Sequence, residues 1–119
     1  MIIDGIEIHS VLIIDKPWIE LILSGIKTWE MRSTITKKRG WIGLVEKGSG
    51  CISGVAYLSD CLEKKSFDEL IDTFHFHQVP YSQQPKYMKW NTPWVLEQVN
   101  RISPVQYTHP QGAVVWVNV

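Results

Sequence analysis

The sequence predicts an α+β fold: a small β-barrel of about five or six mostly antiparallel strands with two or three short helices. Three observations carry this reading. Short apolar runs are punctuated by glycines, two segments carry helix-start signals, and the inferred order is strand, helix, several strands, helix, two strands. So many strands in a short chain tend to curl and close, which removes exposed edges. With 119 residues and 45% hydrophobic content, the chain fits one domain over residues 1–119 around one continuous core.

The first strand is read at Ile8 to Ile14, where Val11-Leu12-Ile13-Ile14 is short enough for a buried strand. Asp15-Lys16-Pro17-Trp18 then looks like a helix start, with Pro17 near the first helical position and Asp15 near the capping position. Trp18, Leu21, Ile22 and Gly25 recur at helical spacing, and Gly25 supplies a left-handed stop. Lys27 to Arg32 reads as a strand, with Trp29 and Met31 on one side and Thr28, Glu30 and Arg32 on the other. Further strands are expected at Trp41 to Val45, Cys51 to Ser59, Trp94 to Ile102 and Ala113 to Val119. Ser66-Phe67-Asp68-Glu69 is a capping box that starts a second helix, with Phe67, Leu70, Ile71 and Phe74 as its apolar face. Residues 78–93 show no clear period and read as a long loop, with one helical turn near Lys86-Tyr87-Met88.

Charge narrows the partners. Twelve basic residues balance twelve acidic ones, so no overall field draws the chain onto nucleic acid or an anionic membrane. The window from residue 26 to 47 is nevertheless basic by four charges, with Lys27, Arg32, Lys37, Lys38, Arg39 and Lys47 against Glu30 and Glu46. Cys51 and Cys61 lack metal or disulfide spacing and are expected to be reduced, buried thiols. No secretory signal or apolar span of transmembrane length is evident, so a soluble, cytoplasmic protein without membrane partners is expected.

The chemistry concentrates between Gly25 and Arg32. Glu30 and Arg32 share a face of the predicted strand, and Lys27 stands at its mouth. A surface ion pair is the plain structural alternative, since such pairs are common. As a site, Lys27 and Arg32 are donors to an anion or carbonyl oxygen, Glu30 is an acceptor or base, and Thr28 is a fourth candidate. Lys37, Lys38 and Arg39 form either a solvated turn or a phosphate clamp. Tyr81, Tyr87 and Trp90 lie among Lys86 and Lys89, where they either anchor the loop or stack on bases. His75 and His77 share a face if extended, yet no third ligand is near, and no metal or cofactor is expected.

Gly25-x-Lys27-x-x-Glu30-x-Arg32 resembles the GxKxxExR signature of ASCH domains, and it follows a helix as in that family. Lys16-Pro17-Trp18 with Ile22 to Gly25, then Gly54-Val55-Ala56, Trp94-Val95-Leu96 and Gly112 to Trp116 resemble the family's flanking elements. The resemblance implies a PUA-like barrel whose signature residues face a ligand cleft. It links the family to RNA binding and, in small bacterial members, to hydrolysis of N4-acylated cytidine nucleosides or to RNA cleavage. In the amidohydrolase group the signature Lys works with a Thr three residues later and with a Glu after the second helix. Here the Thr position is Glu30, and no Asp or Glu occurs between Asp72 and Glu97.

The leading reading is therefore an RNA- or nucleotide-binding module that takes a base in a Lys27, Glu30, Arg32 cleft, with Lys37 to Arg39 on flanking phosphate and Tyr87 and Trp90 as stacking rings. A hydrolase of modified nucleosides or a ribonuclease, with Lys27 and Glu30 catalytic, is the second. A protein-interaction domain is the third. Oligomeric state is left open by the sequence.

Overall fold

The computed structural model describes residues 1–80, 82 and 89–119. Those residues run as β1 (Ile2–Ile3), β2 (Ile6–Glu7), β3 (Ser10–Ile14), α1 (Trp18–Leu23), β4 (Trp29–Arg32), β5 (Gly40–Glu46), β6 (Cys51–Cys61), α2 (Phe67–Asp72), α3 (Phe74–His77), β7 (Thr92–Gln106) and β8 (Trp116–Asn118). Six strands form one curled sheet in the order β4-β7-β6-β5-β3-β8, a half-barrel whose end strands are not paired to each other. Among the described strands, only β3 with β5 is parallel; the other neighbours are antiparallel. β1 and β2 form a separate hairpin about the Asp4-Gly5 turn. None of the described helices is long and apolar enough to cross a membrane.

The curl has a local cause. The β6–β7 ladder changes register three times, and at one change Gln98 adopts φ 50° as the extra residue of the longer strand. Each such bulge adds bend and twist. Close packing of α1 on the sheet needs Gly54, because a Cβ there would strike Leu23 Cδ2 and meet the Asn100 carbonyl at 3.0 Å.

Alternation divides β3 between two cores. Leu12 and Ile14 join Leu44, Leu58, Leu96 and the α1 residues Ile19 and Ile22 on one side. Val11 and Ile13 join Ile8, Val45, Ile52 and Val117 on the other. A third, smaller cluster lies where α2 and α3 meet β4, and it holds Trp29, Met31, Leu70 and Val79.

Several expectations change in detail. Asp15 does not cap α1: Pro17 occupies the N-cap and no side chain bonds there, while the Asp15 carbonyl accepts from Ile19 N at 3.1 Å. The buried face of α1 is Ile19 and Ile22, with Trp18 and Leu21 half-buried. On α2 the capping box forms, but the helix breaks at Thr73 and leaves Ile71 and Phe74 exposed. The tryptophans divide: Trp29 belongs to the third cluster, while Trp41 and Trp116 are half-buried. The strand expected from Lys27 pairs only from Trp29, and Thr92 and Pro93 belong to β7 rather than to the preceding loop. Cys51 and Cys61 are half-buried at opposite ends of β6. The helical turn expected near Lys86 to Met88, with Tyr81 and Tyr87, lies outside the described residues.

Candidate functional site

Gly25 starts the construction of the site. Its φ of 85° ends α1, with Gly25 N bonded to the Ile22 carbonyl and Ile26 N to the Leu21 carbonyl, both at 3.0 Å. This paired 6→1 and 5→2 pattern is a Schellman motif, and the left-handed residue it needs carries no Cβ penalty when it is Gly. The chain is thereby turned back so that Lys27 enters the protein. β4 then alternates: Trp29 and Met31 pack with Leu70 and Val79, while Glu30 and Arg32 join Lys27 along a cleft of about 240 Å³ that Met31 also borders.

Two of these charges are buried. Lys27 is 1% exposed and Glu30 5%. Lys27 Nζ donates to the His77 carbonyl at 2.5 Å, lies 5.1 Å from the centre of the Trp18 ring, and stands 3.9 Å from Glu30 Oε1. Burial pushes the ammonium from its usual 10.5 down to about 8; Glu30 opposes that shift and Arg32 adds to it. Arg32 donates to Glu30 Oε2 from both Nε (3.2 Å) and Nη2 (2.8 Å), and Nη2 also reaches the Ile13 carbonyl at 2.8 Å. Arg32 therefore ties the end strand β4 to β3 across a gap that the backbone ladder leaves open.

His77 anchors the wall behind Lys27. Its Nδ1 accepts from Val79 N at 2.9 Å and its Nε2 lies 2.6 Å from the Leu70 carbonyl, which fixes a neutral ring with the proton on Nε2. Burial depresses its pKa; the Leu70 carbonyl works against that, and Lys27 and His75 reinforce it. His75 instead lies exposed against Phe76, which stacks on Trp29 at 4.5 Å. The helical turn sends one histidine inward and the other outward, so they do not share a face. Among the described residues no three His, Cys, Asp or Glu side chains gather to hold a metal ion.

A family model of the ASCH domain matches residues 12–106. The chain belongs to the ASCH domain family. In fold it is similar to the ASCH protein of Zymomonas mobilis, at TM-score 0.70 and 18% identity, covering 92% of this chain and 86% of that one. Two point mutants of that protein give the same picture: one at 0.70 and 18%, covering 92% and 87%, the other at 0.70 and 17%, covering 95% and 91%. At such identities the likeness is one of fold. No curated protein matches the chain in sequence.

In this ASCH domain, Lys27, Glu30, Arg32 and Trp90 line the cleft, and Trp90 is 37% exposed. Thr28 does not line it, and its backbone joins Phe76 O and Leu96 N instead. Lys37, Lys38 and Arg39 do not line it either: Lys37 is exposed, Lys38 bonds Ser10 Oγ at 3.2 Å, and Arg39 bonds the Thr36 and Lys38 carbonyls. Tyr87 lies outside the described residues. Trp18, Lys16 and Lys47 line the cleft, yet sequence reasoning had given none of them a site role. The two lysines meet because β3 and β5 run parallel and pair Ile14 with Glu46, which sets the carboxyl ends of both strands side by side. Lys16 then faces Glu46 at 3.5 Å and Lys47 faces Asp15 at 3.9 Å.

Proposed function

We propose that this ASCH domain binds RNA or a nucleotide by taking one base into the Lys27, Glu30, Arg32 cleft. The observation that carries this is the burial of Lys27 and Glu30 at the base of a cleft bordered by Trp18 and Trp90. Buried charge is costly and a packed apolar replacement is often as stable, so a charged floor is better explained by a ligand than by the fold. The indoles supply stacking surface, and Lys16 and Lys47 at the mouth meet flanking phosphate. An oligonucleotide titration tests it. Short single-stranded RNA should bind at low salt and weaken steeply as salt rises, and Arg32→Ala and Trp90→Ala should each reduce affinity about tenfold or more. Absence of binding at low salt, in protein shown to be folded, overturns the reading.

One observation favours a second reading, hydrolysis of a modified nucleoside or of an RNA phosphodiester. With its pKa at about 8, Lys27 exchanges protons near neutral pH beside a carboxylate, as a general acid or oxyanion donor must. This reading predicts turnover of acylated cytidines or RNA that is abolished by Lys27→Ala and by Glu30→Gln. Turnover surviving both variants, or none at all, removes it.

A further inference from the structure

The polar atoms left over in the cleft define a pattern. Lys27 uses one of its three N–H groups on the His77 carbonyl, and its 3.9 Å separation from Glu30 Oε1 is too long for a hydrogen bond. Arg32 spends Nε and Nη2 on Glu30 Oε2 and the Ile13 carbonyl. Among the described residues, two Lys27 N–H groups, Glu30 Oε1 and Arg32 Nη1 therefore have no hydrogen-bond partner. Lys27 and Glu30 are buried and Arg32 is half-buried; buried polar atoms are normally paired, so an unpaired set bordering a cleft points to a ligand. Lys27 lies on the Oε1 side of Glu30 and Arg32 on the Oε2 side, so the three residues in order read donor, acceptor, donor.

We propose that the cleft reads the imide edge of uracil, with Glu30 Oε1 accepting from N3–H while Lys27 and Arg32 donate to the two flanking carbonyl oxygens. This deepens the base-binding reading and rests on it. The complement of donor-acceptor-donor is acceptor-donor-acceptor, and of the four RNA bases only uracil presents it on its Watson–Crick edge. Cytosine presents acceptor, acceptor, donor. If its amine faces Glu30, one neighbouring cation meets N3 and the other meets nothing; if its N3 faces Glu30, two acceptors oppose each other. Adenine offers one amine and one acceptor, and so satisfies two groups of three. Guanine is commonly held by both oxygens of one carboxylate on N1–H and N2–H, but Arg32 already occupies Glu30 Oε2. A site built to satisfy a ligand's hydrogen-bonding groups rejects analogues that leave its own buried groups unpaired.

The test is calorimetric titration of the native chain with uridine, cytidine and 3-methyluridine 5′-monophosphates at neutral pH. The uridine nucleotide is expected to bind at least tenfold more tightly than the other two, since 3-methylation replaces the N3–H with a methyl group while keeping both carbonyl oxygens, and cytidine lacks the N3–H. Glu30→Gln should abolish or reverse the preference for uridine over cytidine, because the amide N–H₂ donates to cytosine N3. Equal affinity for the three nucleotides, or tighter binding of cytidine, overturns the imide reading and leaves base binding standing. Failure of every nucleotide to bind overturns both. The methylated nucleotide keeps the test decisive on native protein even if the Gln variant does not fold.

Discussion

Two parts of this small domain bury side chains on opposite terms. Where β3, β5 and β6 meet, the interior is apolar, and Leu12, Leu44, Leu58 and Ile52 are fully buried without a charged neighbour among the core residues. At the β4 corner, Lys27, Glu30 and His77 are buried instead, tied to the carbonyls of His77 and Leu70 and to Arg32. The first region exchanges apolar surface for contact, which is favourable wherever shape permits. The second takes charge out of water and offsets only part of that cost internally. The domain tolerates buried charge on the side that opens into a cleft.

Substitution costs most at the apolar end. Leu44→Ala should lower stability by about 2–5 kcal/mol, seen as a lower urea midpoint at an unchanged slope, while the folded fraction still binds ligand. At the charged end, pH provides the contrast. Because the folded pKa of Lys27 lies at about 8 against 10.5 when unfolded, the unfolded chain binds the extra proton between those values, and stability must rise with pH across that window. The rise attributable to this group is about 3 kcal/mol, and Lys27→Met should lack it, which paired urea titrations at pH 8 and pH 10.5 would reveal. His77 acts in the same sense at acid pH: its depressed pKa means stability falls as pH drops below 6.5.

Gly54→Ala sharpens the boundary between α1 and the sheet. Leu23 can shift but the Asn100 carbonyl cannot, so a loss of about 1–3 kcal/mol is expected in denaturant titration. The smallest effect belongs to the surface. Arg101→Ala removes an exposed pair with Glu20, and the thermal midpoint should stay within measurement error.

Local signals in the sequence were legible in proportion to how local their physics is. The Ser66–Glu69 capping box and the Gly25 stop depend on residues within one turn, and both form as read. The apolar β3 run is equally self-contained. The β1–β2 hairpin was legible too, through Asp4-Gly5 between isoleucines, a turn dipeptide that reading from Ile8 onward passes over. What was not legible is long-range. The parallel β3–β5 pairing that brings Lys16 and Lys47 to one cleft mouth has no signature in either segment. Lys27 meets a carbonyl 50 positions away, so nothing in the sequence marked His77 as the wall of the site. Alternation separated Glu30 and Arg32 from Trp29, but it did not show that Met31 also borders the cleft, that Thr28 does not, or that Trp29 and Met31 pack with Leu70 and Val79.

On the proposed reading the buried charges of the β4 corner, not the basic turn at Lys37 to Arg39, receive the ligand. Chemical-shift mapping of the labelled domain with a short uridine-containing RNA tests this directly. The largest shifts are expected at the Trp18 and Trp90 indoles and at the Lys27, Glu30 and Arg32 amides, with Lys37 to Arg39 little changed. Shifts centred on Lys37 to Arg39 with the cleft silent would contradict it.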